Sequence, residues 1–465
     1  MRALCGVGEA DVVLNAGPYA LGGVPALSGV PALRAVPALV GVPAHAERGI
    51  RTATETGPSV AEGSHIDLPQ PNEGRSATPH TVTIPETDAS AARTAAGILL
   101  KNSRLAATFD DDGLIVSLRD LRADRELIPA GTRGALLQLY RDVPNQWDAW
   151  DLDANYTNVV TDLTHADSIE LIDEATATGT RGSVGVRIRR SFGMSSVTEE
   201  ITLTGDSPTL DVTLSVDWHE RQKLLKLAFP LDLQAERAAS EIQFGHVFRP
   251  THTNTSWDVA RYETVAHRWV HVGEPGYGVA IANDSTYGHS IGREADAAGR
   301  IGTVARLSLL RAPLYPDPDA DQGLHDFRVS LRVGATIPDA IAEGYRLNLP
   351  LRTVTGVADA VIAPLLTVDN PAVVIEAVKL AEDRSGDVIV RLYEAHGSRA
   401  RARVIRHFEA TDVIETDLLE RPVAEPRATL TLDPADLADP VHPAALTLEL
   451  RPFQLLTLRF ARPAR

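Results

Sequence analysis

Residues 184–218 read VGVRIRRSFGMSSVTEEITLTGDSPTLDVTLSVDW. Apolar and polar residues alternate in Val184–Arg190, Thr198–Leu203 and Thr209–Trp218, and a period of two puts every second side chain on one face of a strand. Gly, Asp and Pro punctuate the runs, as turns require. The pattern recurs outward along the chain in Arg328–Val333 (RVSLRV), Asp387–Tyr393 (DVIVRLY), Ala428–Leu432 and Leu446–Leu450. Ile98–Leu118 reads as a strand, a turn at Asp111-Asp112-Gly113 and a second strand. Helix is scarce, with Pro338–Arg346 and Asp433–Leu437 as the candidates. The expected class is all-β, built of antiparallel β-sandwich domains.

The chain has 465 residues, enough for two to four domains. Lys and Arg number 45 against 62 Asp and Glu, a formal charge of −17. That field repels phosphate backbones and anionic lipid, so neither nucleic acid nor a membrane surface is expected as a partner. Cys5 is the single cysteine, which excludes an internal disulfide and any multi-cysteine metal site. No window reaches the apolar length of a membrane span, the first residues lack the form of a secretory leader, and the expected location is cytoplasmic. Glycine-rich dinucleotide loops and phosphate-binding lysine loops are missing from the sequence.

The first hundred residues differ from the rest. Val-Pro recurs at 24, 30, 36 and 42, and from Glu47 to Ala96 the chain is rich in Thr, Ser, Glu, Gly and Pro. Residues 1–96 are therefore expected as a low-complexity, partly disordered segment, with order starting near Ile98. A large β-domain would follow over 97–350 and a smaller one over 351–465.

Two clusters carry chemistry. NQWDAWD at 145–151 sets Trp147 beside Asp148 and Trp150 beside Asp151, an arrangement suited to a sugar, whose C–H face stacks on a ring while its hydroxyls donate to a carboxylate. The same residues suit a packed loop whose aspartates cap backbone donors. The second cluster, Phe244–Gly292, holds His246, His252, His267, His271 and His289 with Trp257 and Trp269. His252, His267 and His271 could supply three zinc ligands, or could satisfy backbone groups on a strand. Glycoside hydrolysis needs two facing carboxyl groups, and Asp148, Asp151, Asp258, Glu263, Asp284, Asp321 and Asp326 are all candidates whose pairing the sequence leaves open.

Longer strings point to a family. NQWDAWD at 145–151, RPTHTNTSWDVARYETVAHRWVHV at 249–272, GYGVAIANDSTYGHS at 276–290 and LSLLRAPLYPDPDADQGLHDF at 307–327 together resemble the C-terminal β-region of glycoside hydrolase family 38 α-mannosidases, the cytosolic and vacuolar type in particular. VIEAVKLAEDRSGDVIVRLYEAHG at 374–397 and LRPFQLLTLRF at 450–460 agree, and DVVLNAGPYALGGVPAL at 11–27 resembles the segment after the family's catalytic half.

The resemblance implies a galactose mutarotase-like super-sandwich with a smaller C-terminal β-domain. It also implies retaining, metal-dependent hydrolysis of terminal α-mannosidic bonds in the full enzyme, zinc or another divalent metal being held by an N-terminal barrel. The barrel's His-x-Asp, nucleophile and closing His-Asp motifs have no counterpart in this sequence, so no catalytic or metal residue is carried over, and no cofactor is expected in the chain itself. Loops of the β-region would face the sugar, which nominates Trp147, Asp148, Trp150, Asp151, His252, Asn254, Trp257, Arg261, Arg311 and Asp321. The expected partners are a mannose-containing oligosaccharide and a separately encoded catalytic barrel. A stand-alone carbohydrate-binding protein, a docking subunit and a gene remnant are the alternatives.

Overall fold

A computed structural model of the chain describes residues 10–14, 18–19, 28–29, 89–172, 182–356, 364–432 and 445–463. The alternating runs become a nine-stranded antiparallel sheet. In spatial order its strands are Ser168–Ile172, Ser183–Phe192, Ser195–Thr204, Thr209–Trp218, Gly323–Val333, Tyr277–Asn283, Trp269–Glu274, Arg237–Ile242 and Gly245–Pro250. Register keeps the apolar faces together: Val197 lies opposite Val216, Leu203 opposite Leu210 and Val212 opposite Val329. A slip of one residue would turn this entire set to the other face, so burial itself fixes the pairing.

A six-stranded sheet covers the inner face, in the order Thr264–Val265, Gly288–Ala295, Ile301–Arg311, Lys223–Leu231, Leu136–Arg141 and Val160–Asp162. Leu225, Leu227, Phe229, Ala305 and Leu307 from this sheet meet Val186, Ile201, Leu214, Val216 and Trp218 in one core. Each fully buried aliphatic side chain there contributes roughly 1.5–3 kcal/mol. Pro230 is tolerated within a central strand because the neighbouring strand ends at Leu136, opposite Ala228.

A five-stranded sheet extends the same core, through Ser90–Thr94, Gly97–Lys101, Leu105–Phe109, Ile115–Asp120 and Arg125–Glu126. Two expectations are corrected here. Order does not start at Ile98, because Ser90–Thr94 already pairs with Gly97–Lys101; this strand is mostly exposed and has no alternation to read. Ile98–Leu118 holds a second turn, where the Asn102 side-chain oxygen accepts the amides of Arg104 and Leu105, each at 2.8 Å.

The helix expected at Pro338–Arg346 runs over Ile337–Asn348. Thr336 accepts from the Asp339 amide and Asp339 reciprocates, a capping box that fixes the start. Ala340, Ile341 and Tyr345 pack between Trp269, Ala280 and Ala282 of the nine-stranded sheet and Val374, Tyr393 and Ala395 of the last domain. That domain is a separate sandwich. Its sheets are Ser28–Gly29, Leu366–Val368, Ala400–Arg406, Ala445–Leu450 and Thr429–Leu432 against Val373–Leu380, Val388–Glu394, Leu455–Ala461 and Asp412–Thr416.

Ahead of Ala89, two short strands are described. Ala10–Leu14 pairs antiparallel with Arg352–Gly356, and Ser28–Gly29 pairs in parallel with Leu366–Thr367. Neither pairing is visible in local sequence, because the partner strands lie more than three hundred residues away. Val-Pro at 24, 30, 36 and 42 and the Asp433–Leu437 helix lie outside the described residues.

Candidate functional site

Strands of the six-stranded sheet end together at Arg141, Lys223 and Arg311, so the segments 142–159 and 312–322 emerge side by side. Arg311 organises them. Its Nε donates to the buried Asp142 carboxylate at 2.6 Å, and its Nη2 donates to the carbonyls of Asp148 at 3.1 Å and Asp151 at 2.7 Å. Burial raises the Asp142 carboxyl above the ordinary range, against the opposing pull of Arg311. The Asp148 carboxylate accepts the amides of Leu314 at 2.6 Å and Tyr315 at 3.0 Å. Both nominated residues therefore hold loops, Asp148 through its Oδ2 atom.

This scaffold displays aromatic rings. Trp147 has a left-handed φ of 60°, and its carbonyl accepts the amides of Trp150 and Asp151. Trp147 and Trp150 are each 66% exposed, and Tyr315, equally exposed, lies 6.3 Å from Trp150 between ring centroids. The side chain of Asp151 accepts the amide of Leu152. Asp321, also at a left-handed φ, offers its carbonyl to His325 Nε2 at 2.8 Å. Beside it, Asp319 pairs with Arg221.

The remaining nominees lie on 251–263. Thr255 caps the short helix Ser256–Val259 through a capping box with Asp258, which leaves Trp257 75% exposed. The Thr255 hydroxyl lowers the Asp258 pKa, and His252 and Arg261 stand 3.5 and 3.4 Å from its carboxylate. The backbone N–H of Asn254 donates to His252 Nδ1 at 3.5 Å.

A polar cluster that the sequence did not announce joins the two segments. Lys226 is wholly buried on the face of its strand away from the core and pairs with Glu263. Tyr156 donates to Glu263 Oε1 at 2.7 Å, Ser308 donates to Oε2 at 3.0 Å, and Lys226 also donates to Ser290 at 2.8 Å. The Tyr262 hydroxyl donates to the Leu152 carbonyl. Burial lowers the Lys226 pKa, with Glu263 opposing, and raises the Tyr156 hydroxyl. Lys226, interrupting the otherwise apolar run LLKLAFPL at 224–231, was the available signal.

The proposed histidine triad does not assemble. His271 turns its Nε2 to the Ala335 carbonyl at 2.8 Å, His267 lies 3.7 Å from Glu241, and His252 faces Asp258. Among the described residues no group of three or more His, Cys, Asp or Glu could hold a metal ion. These residues do not fit the divalent metal that the resemblance implies for the full enzyme.

The sheets around the large core and the second sandwich after them define an all-β protein of sandwich domains, with aromatic loops exposed at one end of the large domain. Residues 100–319 match the glycosyl hydrolases family 38 C-terminal domain, and residues 372–458 match the C-terminal beta sandwich domain of the same family. The chain belongs to glycoside hydrolase family 38 and carries its α-mannosidase C-terminal region.

Alpha-mannosidase 2C1 of Homo sapiens is 37% identical over 383 residues, covering 81% of this chain and 34% of the human protein. Alpha-mannosidase of Saccharomyces cerevisiae is 26% identical over 389 residues, covering 78% of this chain and 34% of its own length. The chain thus spans about a third of the length of these relatives. The crystal structure of an alpha-mannosidase from Enterococcus faecalis superposes with a TM-score of 0.56 at 17% identity, covering 78% of this chain and 42% of that one, a likeness of fold. Among the described residues no helix is long and apolar enough to cross a membrane.

Proposed function

We propose that this β-region forms the sugar-facing side of an α-mannosidase that hydrolyses terminal α-mannosidic bonds with retention, the bond-breaking groups and the divalent metal being supplied by a catalytic half outside the β-domains. The observation that carries the reading is the display of Trp147, Trp150 and Tyr315 on loops locked by Arg311 and Asp148. Exposed rings held rigid lose little entropy on stacking against a sugar, so the contact energy is retained as affinity. Asp151, Asn254, Trp257, Arg261 and Asp321 remain as exposed groups for hydroxyl recognition. Arg311, Asp148 and His252 serve as loop-holding residues in this reading. A mannose-containing oligosaccharide is the ligand, and a cytoplasmic setting follows the resemblance to the cytosolic and vacuolar type.

A second reading, docking of a catalytic barrel on the same end, is favoured by the neighbouring exposure of Met194, Leu314 and Leu324. Titration of the purified chain with mannotriose, followed by tryptophan fluorescence, separates the two. Saturable quenching that Trp147→Ala and Trp150→Ala weaken supports sugar contact. An unchanged signal at millimolar sugar, with the chain folded, overturns it in favour of docking.

A further inference from the structure

The segment 10–29 meets the rest of the protein at three places. Ala10–Leu14 is the sole described neighbour of Arg352–Gly356, with Ala10 opposite Gly356 and Leu14 opposite Arg352. Pro18 is buried, and Tyr19 packs on Tyr345 with ring centroids 5.7 Å apart. Burial pushes the Tyr19 hydroxyl up, and Tyr393, Arg268, Glu376 and Glu241 also act on it electrostatically. Ser28–Gly29 completes the edge of the last sandwich at Leu366–Thr367.

These contacts span a junction. Arg268 belongs to the large domain, where its guanidinium forks onto Glu241 and lies 3.9 Å over the Tyr345 ring. Tyr345 sits on the intervening helix and donates to Glu376 of the last sandwich, with Tyr393 3.3 Å away. Tyr19 thus packs where three elements meet. Residues 30–88 then separate the segment from Ala89, so its attachment is not enforced by short connections.

We propose that the edges Arg352–Gly356 and Leu366–Val368, with the Tyr345–Arg268 cluster between them, form a receptor groove for an extended peptide. Its occupants are the chain's own strands Ala10–Leu14 and Ser28–Gly29, with Pro18 and Tyr19 anchoring between them, which strap the two β-domains together non-covalently. Main-chain ladders supply affinity in such strand addition, and a single anchoring side chain supplies register. The same addition blunts two strand edges that would otherwise pair with other chains. The groove involves neither the aromatic loops nor a sugar, so it stands apart from the mannosidase reading.

The test keeps the full chain and inserts a specific protease site after Glu62. After cleavage, the N-terminal fragment is expected to co-elute with the β-domains at the mass of one chain on size-exclusion chromatography. Tyr19→Ala combined with Val12→Pro and Val13→Pro, which removes the ladder donor whichever of the two amides faces the partner strand, should weaken retention about tenfold or more. Separation of the wild-type fragment from folded β-domains would overturn the proposal. A swapped dimer before cleavage would overturn the assignment of the occupant to the same chain.

Hydrogen exchange on the uncut chain gives an independent readout. Slow exchange within 352–356 and at 366–367, accelerated by the triple variant, supports the strap; equal rates in both proteins overturn it.

Discussion

Arg311 and Asp148 hold each other's loops in both directions: the Arg311 guanidinium takes the Asp148 carbonyl, while the Asp148 carboxylate takes the amides of Leu314 and Tyr315 just beyond Arg311. Behind this clasp lies Asp142, a buried carboxylate with Arg311 as its ion-pair partner. Arg311→Ala would leave that carboxylate without its cation and two loop carbonyls without their donor. Breaking one side of a largely buried pair costs about 3 kcal/mol. Urea unfolding should show a loss of this order, and Arg311→Ala with Asp142→Asn should recover part of it. Acrylamide should quench Trp147 and Trp150 more readily in the single variant. Unchanged stability and quenching would mean that the clasp does not hold the loops.

Lys226 and Glu263 make the same kind of argument deeper in the sheet. Lys226→Met keeps the stem's volume and strands Glu263 beside Tyr156 and Ser308. The expected loss is about 3 kcal/mol, and the double variant with Glu263→Gln should be less harmed than the sum of the singles. A double-mutant cycle by chemical denaturation measures this coupling. Additive losses would remove the pair as the link between segments 142–159 and 251–263.

Acid should weaken the fold before its surface carboxylates protonate. Burial lowers the His289 pKa to about 4, and His246, His271 and His396 are lowered in the same direction for the same reason. A folded-state pKa below the unfolded value means that the unfolded chain binds the proton more tightly. The stability these groups contribute is therefore complete above pH ~6.5 and is lost as pH falls toward 4. For His289 the shift is worth up to about 3 kcal/mol at the acid end. His289→Gln should flatten the stability profile between pH 6.5 and 4 in urea titrations. A profile as steep as that of the parent would assign the acid sensitivity elsewhere.

The fold was legible wherever its logic is local. Alternation in Val184–Trp218 predicts which residues are buried, because the sheet buries one face and the period is two. Ser90–Thr94 and Ala10–Leu14 escaped because they are held by backbone pairing, which leaves no mark on side-chain order. The aromatic loop could be found from Trp147 and Trp150, since two tryptophans beside two aspartates are rare in a chain with five. That Asp148 and Arg311 are spent on loop geometry was hidden, because it depends on which strands end side by side. Lys226 was hidden for the same reason: its partner, Glu263, comes from a segment that folds over the sheet from another strand.

Helix propensity and packing make opposite forecasts at Gly344, in the middle of Ile337–Asn348. Propensity alone says that Ala would stabilise this position by about 1 kcal/mol. A Cβ there would lie 2.8 Å from Trp269 Cδ1 and 3.1 Å from Arg268 Cβ, however, and neither neighbour has room to yield. Trp269 is almost fully buried, and Arg268 is fixed by Glu241 on one side and the Tyr345 ring on the other. Overpacking of this kind costs about 1–3 kcal/mol, which exceeds the propensity gain. Gly344→Ala should therefore lower the unfolding midpoint and loosen the junction of helix, large domain and last sandwich, seen as faster hydrogen exchange in 337–348. A raised midpoint would show that Trp269 can shift, and that the glycine is not there for close approach.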